Sequence, residues 1–181
     1  LVLQRLDPEK DTLTAIQAWQ AAGLAREGWS LRIVGDGIER KMLEKRVLHD
    51  EIVGVVFTGW TDDVPDEFAR AGLLLATAPA EPLGLAVLEA MAAGVPIAAA
   101  GSGGHLETVG LIQSAQLFEA RDPESAANAL RSLASDSTRA QLSRAGRELV
   151  KARFGLRLHV DRLLAHYIAV CEQDAATKHA A

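Results

Sequence analysis

The chain has a single cysteine, Cys171, so it can form no internal disulfide and no cysteine-based metal cluster. A reducing compartment, the cytoplasm, is the resulting expectation. Aromatic residues make up only 4% of the sequence, and basic residues never gather into a patch. With 19 Lys and Arg against 24 Asp and Glu, the net charge of -5 argues against a nucleic-acid partner. The longest apolar stretches, Gly72 to Ala80 and Leu85 to Gly101, are broken by Glu89, Gly94 and Pro96 and are too short to span a bilayer. The chain also lacks an initiator methionine and opens on Leu1-Val2-Leu3, a strand already under way, which suggests an excised domain.

What is present is a core-forming composition: 181 residues, 49% of them hydrophobic, suit one compact domain. Strand-like runs at Leu1–Leu3, Leu31–Val34, Val53–Phe57, Leu73–Thr77, Pro96–Ala99 and Gln116–Phe118 alternate with helix-period segments. Those segments lie near Thr12–Ala25, Ile38–Leu48, Val64–Ala71 and Leu85–Ala93. This βαβα alternation predicts an α/β, Rossmann-like three-layer domain with a mainly parallel six-stranded sheet. Ligands of such sheets bind at the carboxyl ends of the strands. The last third reads as helices at Pro123–Ala134, Ser137–Ala152 and Leu156–Glu172, capped by Asp122 and by Asp136 or Ser137. The expected domain covers 1–173, with a disordered tail over 174–181 and no internal boundary.

The most informative segment is Glu81-Pro82-Leu83-Gly84-Leu85, leading to Glu89 and on to Gly94-Val95-Pro96. Between Leu85 and Ala93 the only charged residue is Glu89. Burying an unpartnered carboxylate costs several kcal/mol, so a polar partner is required. Gly84 allows close backbone approach where the helix should begin, and first-turn amides there are free to meet an anion. A phosphorylated ligand meets both demands. Glu81 and Glu89 are poor candidates for a glycosidase acid and base, because one sits in a loop and the other roughly 7 Å along a helix. They suit hydroxyl binding at two depths, as for a ribose diol; the plainer alternative for Glu89 is an ion pair with a core arginine.

The other strand ends carry weaker signals. Arg5 and Lys10 flank a Pro8 turn and suit phosphate, though both residue types are also ordinary surface cations. Gly35-Asp36-Gly37 permits a tight turn, serving either the turn itself or a ligand. It is no dinucleotide fingerprint, since position 40 is Arg. Trp60 offers an aromatic face beside Thr61 and Asp62, while Asp62 or Asp63 can equally cap a helix. Asp62-Asp63 lacks the companions of a metal site, so no protein-held metal is expected. Gly101-Ser102-Gly103-Gly104 makes a flexible or ligand-hugging loop. His105 has no triad partners, which disfavours nucleophilic hydrolysis.

Taken together these motifs resemble the C-terminal, donor-binding half of retaining glycosyltransferases with the GT-B fold, the family 4 or group 1 glycosyl transferases, over nearly the whole chain. The resemblance rests on Arg5-Leu6-Asp7-Pro8-Glu9-Lys10, Val34-Gly35-Asp36-Gly37, Phe57-Thr58-Gly59 and, most specifically, the Glu81 to Pro96 segment. It implies that Arg5 and Lys10 hold the donor's diphosphate with amides near Leu83, Gly84 and Leu85. It further implies that Glu89 binds ribose, Glu81 the donor sugar, and Trp60, Thr61 and Asp62 frame the base, with Gly35 a further donor-binding residue. Arg5, Lys10 and Glu81 are thereby the candidate catalytic residues. It implies no cofactor beyond a UDP-, GDP- or ADP-sugar substrate, no metal, and a partner half, an N-terminal acceptor domain, that is absent here. The final helix resembles the segment that crosses back onto that half, and the chain alone is expected to turn over little. Gln4 stands where the family usually has glycine, and His105-Leu106 where an apolar-Pro pair is commoner; neither departure removes a charged group, and both are expected to tune donor fit. The rival expectations are a nucleotide-sugar epimerase of the same architecture and a non-catalytic nucleotide-binding module.

Overall fold

The computed structural model describes residues 1–179. Six strands alternate with helices in the first two thirds: β1 (Val2–Leu3), α1 (Thr12–Ala22), β2 (Leu31–Val34), α2 (Arg40–His49), β3 (Val55–Gly59), α3 (Val64–Arg70), β4 (Leu74–Ala76), α4 (Leu85–Ala93), β5 (Ile97–Ala100), α5 (Gly104–Glu107) and β6 (Gln116–Phe118). Helices α6 (Pro123–Leu133), α7 (Asp136–Arg153) and α8 (Leu156–His179) complete the chain.

Every strand pairing is parallel, in the orders β1-β2-β3 and β4-β5-β6. The expected six-stranded sheet is thus two three-stranded sheets, and these meet edge to edge at Leu1. The Leu1 amine donates to the Leu73 carbonyl at 2.9 Å, and the Leu75 amide donates to the Leu1 carbonyl at 2.8 Å. That is one rung of a parallel ladder. Across it the strands run β3-β2-β1-β4-β5-β6, the doubly wound arrangement whose strand order reverses between β1 and β4.

The strands have a continuous apolar character because both faces are covered. Val2, Ile33, Leu75, Ala98 and Ala100 face one core with α1 and α6, where Ile16, Trp19, Leu130 and Leu133 are buried. Leu1, Val34, Leu74, Ile97 and Ala99 face the other, against Phe68, Val87, Ala90 and Met91 of α3 and α4. The alternation within each strand is the period of two that separates three layers.

Local chemistry explains where helices begin and end. Asp122 caps α6, its Oδ1 accepting from the Glu124 and Ser125 amides at 2.9 and 3.1 Å. At α7 the expected cap at Asp136 or Ser137 is displaced to Ser135, which makes no side-chain cap bond to the backbone. Helix α1 stops three residues short of expectation at Gly23, whose amide bonds back to the Trp19 carbonyl at 3.3 Å. Helix α8 continues to His179, past the Asp174 where a disordered tail was expected; the last two residues of that tail lie outside the described residues. Leu156, Val160, Leu163, Leu164 and Tyr167 of α8 are exposed. Among the described residues no helix is long and apolar enough to cross a membrane.

Candidate active site

The switch between β1 and β4 brings together the two segments that follow those strands. Between them lies a cavity of about 620 Å³ whose polar wall is Gln4, Arg5, Lys10, Glu81 and His105 and whose floor includes Gly84, Leu85 and Val87. Lys10 and Glu81, 71 positions apart, meet across it: Nζ donates to Oε2 at 2.6 Å, with each side chain only 18% exposed. Lysine has three donors and this contact uses one, while the carboxylate retains further lone pairs.

The backbone holds Lys10 firmly. Its carbonyl accepts from Gln4 Nε2 at 3.1 Å and from Thr77 Oγ1 at 3.0 Å, so residues from both strand ends converge on one atom. Gln4 also donates to Thr12 Oγ1 at 2.9 Å, tying the turn to α1. Thr77 is not legible as a site residue in the sequence, and Gln4 shows there only as a departure from the family pattern, since each acts through this tertiary approach. Arg5 sits at the cavity lip, 67% exposed, with its guanidinium bridged to Asp7 at 2.5 Å and Glu9 at 2.6 Å.

Glu81 is positioned by the glycine-rich loop. The Gly104 amide donates to the Glu81 carbonyl at 2.6 Å. A Cβ at Gly104 would come within 2.5 Å of the Pro82 carbonyl, and one at Gly103 within 2.7 Å of the Glu81 carbonyl. The loop does hug something, but within the chain that is the Glu81-Pro82-Leu83 backbone. Gly35 plays a similar part: a Cβ there would lie 1.9 Å from the Gln4 carbonyl, at a φ of +130°. It packs two strand ends together and is absent from the cavity lining.

Helix α4 opens on the cavity at Gly84, with no side-chain cap on its N-terminus, so its first amides and the positive end of its dipole face the space above Lys10 and Glu81. Here one sequence expectation is corrected. Glu89 is exposed and has no ion-pair partner among the described residues, so neither burial nor a core arginine applies. The apolar run of α4 is not apolar all round toward the core: Val87, Ala90 and Met91 are buried, while Leu85, Glu89 and Ala92 form an exposed stripe at helical spacing. Glu89 lines not that cavity but a separate groove of about 450 Å³, with Val64, Pro65, Phe68, Ala92 and Ala93.

Of the remaining candidates, Leu83 and Leu85 line the main cavity, whereas Trp60, Thr61 and Asp62 do not. Trp60 is 74% exposed at the end of β3. Thr61 Oγ1 accepts from the Asp63 amide at 3.1 Å, and Asp63, not Asp62, caps α3 by accepting from the Asp66 amide at 3.1 Å. His105, read from sequence as lacking catalytic partners, is fully enclosed in the cavity wall at 1% exposure. Desolvation lowers its pKa below the ordinary imidazole value, with the Ala100 carbonyl and Glu81 opposing and Lys10 reinforcing that shift.

Comparison with known proteins agrees with this geometry. The family described as Glycosyl transferases group 1 matches residues 1–149. The 2-deoxystreptamine glucosyltransferase of Streptomyces kanamyceticus is 33% identical over 168 residues, covering 90% of this chain and 43% of that protein. The GDP-mannose-dependent alpha-(1-6)-phosphatidylinositol monomannoside mannosyltransferase of Mycobacterium tuberculosis (strain CDC 1551 / Oshkosh) is 36% identical over 164 residues, covering 84% and 42%. This chain therefore spans less than half the length of either relative. Among solved structures, S. aureus TarM with UDP superposes at a TM-score of 0.84 and 18% identity, over 91% of this chain and 34% of that one. Anabaena Alr3699/HepE with UDP and glucose superposes at 0.79 and 24% identity, over 93% and 47%. At those identities the structures speak for the fold.

Proposed function

The chain belongs to the glycosyl transferases group 1 family, and from that membership we propose that it forms the donor-binding half of a retaining enzyme that moves a hexosyl group from a nucleoside diphosphate sugar to an acceptor. The observation that carries this reading is the meeting of Lys10 and Glu81 across a cavity at the β1/β4 switch, beneath the uncapped N-terminus of α4. The mycobacterial relative is named for its dependence on GDP-mannose, and the HepE structure holds UDP and glucose. Both support a nucleoside diphosphate sugar as the ligand class.

In this scheme the diphosphate lies against the α4 amides, with Lys10 and Arg5 supplying positive charge. Cleavage of the anomeric C–O bond moves negative charge onto the leaving diphosphate, and preorganised cations and amides stabilise that charge in the transition state. Counter-charge thus comes from the protein itself, without a metal ion. Glu81 accepts hydrogen bonds from the donor sugar. Glu89, standing on the open stripe of α4, takes the ribose hydroxyls, and Trp60, Thr61 and Asp62 frame the base beyond β3. The acceptor comes from an N-terminal half outside this chain, so the chain alone binds donor weakly and transfers little. A cytoplasmic location accords with the single exposed cysteine.

Calorimetric titration of the chain with UDP, GDP, ADP and their glucose or mannose conjugates tests this. One diphosphate should bind. The Arg5→Ala plus Lys10→Ala variant should weaken it by tenfold or more, and Glu89→Ala by about tenfold, as lost hydrogen bonds to charged groups do. Binding of none of these ligands would overturn the donor-site reading.

A further inference from the structure

His105 is the one enclosed titratable side chain of the cavity that the scheme above leaves idle. Its Nδ1 lies 3.0 Å from the Ala100 carbonyl oxygen, which can only accept, so Nδ1 carries a hydrogen. Burial favours the neutral imidazole. Nε2 is therefore a lone-pair acceptor, fixed in that state by the bond at the other end of the ring. Among the described residues Nε2 has no hydrogen-bond partner, and it is not one of the buried polar atoms left unpaired, so although the residue is 1% exposed this nitrogen opens on the cavity that His105 lines. A lone-pair acceptor at that surface is free to take a hydrogen from a bound ligand.

The ring's orientation shows where that donor would come from. Its Cδ2, the atom bonded to Nε2, is 3.5 Å from the place a Cβ would occupy at Gly84, and Glu81 Cγ is 3.5 Å from the same point. The Nε2 edge and the Glu81 side chain thus flank the entrance of α4 together. Lys10, a donor only, serves the anionic part of a ligand; Glu81 and a neutral His105 are both acceptors and serve hydroxyls.

We propose that Nε2 of His105 accepts a hydrogen bond from a hydroxyl of the donor sugar, beside Glu81, and so helps determine which sugar this site takes. The proposal rests on the donor-binding reading. A hydrogen bond of this kind discriminates, because a sugar that displaces water from this nitrogen without offering it a hydroxyl leaves it unpaired.

The test compares the bare diphosphate with its sugar conjugate. UDP, GDP and ADP are titrated first; the one that binds is then titrated as its glucose and mannose conjugates, with wild type and with His105→Leu. The expected result is bare-diphosphate affinity within twofold of wild type and sugar-conjugate affinity reduced about fivefold. If His105→Leu fails to bind the bare diphosphate, His105→Gln carries the same comparison: its side-chain carbonyl keeps an acceptor, and the tighter conjugate should regain most of the lost affinity. Equal changes for bare and conjugated ligand would overturn the proposal and leave the donor site standing. Failure of wild type to bind any diphosphate would remove the donor-site reading, and this one with it.

Discussion

Two ion pairs sit at opposite ends of the same sheets and are built to different standards. Arg32 of β2 grips Glu67 of α3 through three hydrogen bonds of 3.1, 2.7 and 3.0 Å, and its pKa is raised, chiefly by those bonds. Lys10 meets Glu81 through a single contact. The first pair fills its own donor and acceptor sites in a fork geometry and has little left for a ligand. The second leaves most of its capacity turned to an open cavity. Under the donor-site proposal, that unused capacity is what a ligand would take up.

The two pairs should differ in what they do to binding. Glu67→Gln leaves the Arg32 guanidinium with a weakened partner and should cost about 2 kcal/mol of stability, since Arg32 remains partly solvated, with no change in nucleotide affinity. Lys10→Met leaves a mostly buried Glu81 without its cation and should cost no more than about 2 kcal/mol of stability, the open cavity hydrating the carboxylate, yet weaken diphosphate binding by tenfold or more. Denaturant titration beside calorimetry reads both quantities on both variants. If Lys10→Met proved the more destabilising and left binding intact, the distinction between the two ends would fail.

Much of this was legible in the sequence because it follows from short-range periodicity. The strand-helix alternation, the parallel sheet and the Asp122 cap all lie within windows of a few residues. The pairing of Lys10 with Glu81 does not. Nothing at a separation of 71 positions shows in spacing, and both residues entered as candidates through their local motifs and the family resemblance. Thr77 stayed hidden for the same reason, and Gln4 and His105 drew notice as departures from the family pattern, without their contacts. Gln4 and Thr77 are polar residues that matter only because two strand ends converge on one carbonyl. His105 matters because its ring is pinned against Ala100 with one nitrogen facing inward.

Glu89 was hidden for a different reason. Composition made α4 look buried all round, because alanine counts as apolar on either face. The exposed stripe of Leu85, Glu89 and Ala92 shows that α4 turns one side to the core and one to open space. This difference gives the smallest expected effect. Glu89→Ala removes an exposed carboxylate with no ion-pair partner among the described residues and puts the better helix former in its place. Thermal unfolding without ligand should therefore change by less than about 0.5 kcal/mol. A buried, unpartnered carboxylate would instead be relieved by the substitution, and a buried paired one would leave its arginine stranded, so a shift beyond about 2 kcal/mol either way would restore a core role. Near-zero stability change together with weakened diphosphate binding would mean that the carboxylate on the open face of α4 serves the ligand and not the fold.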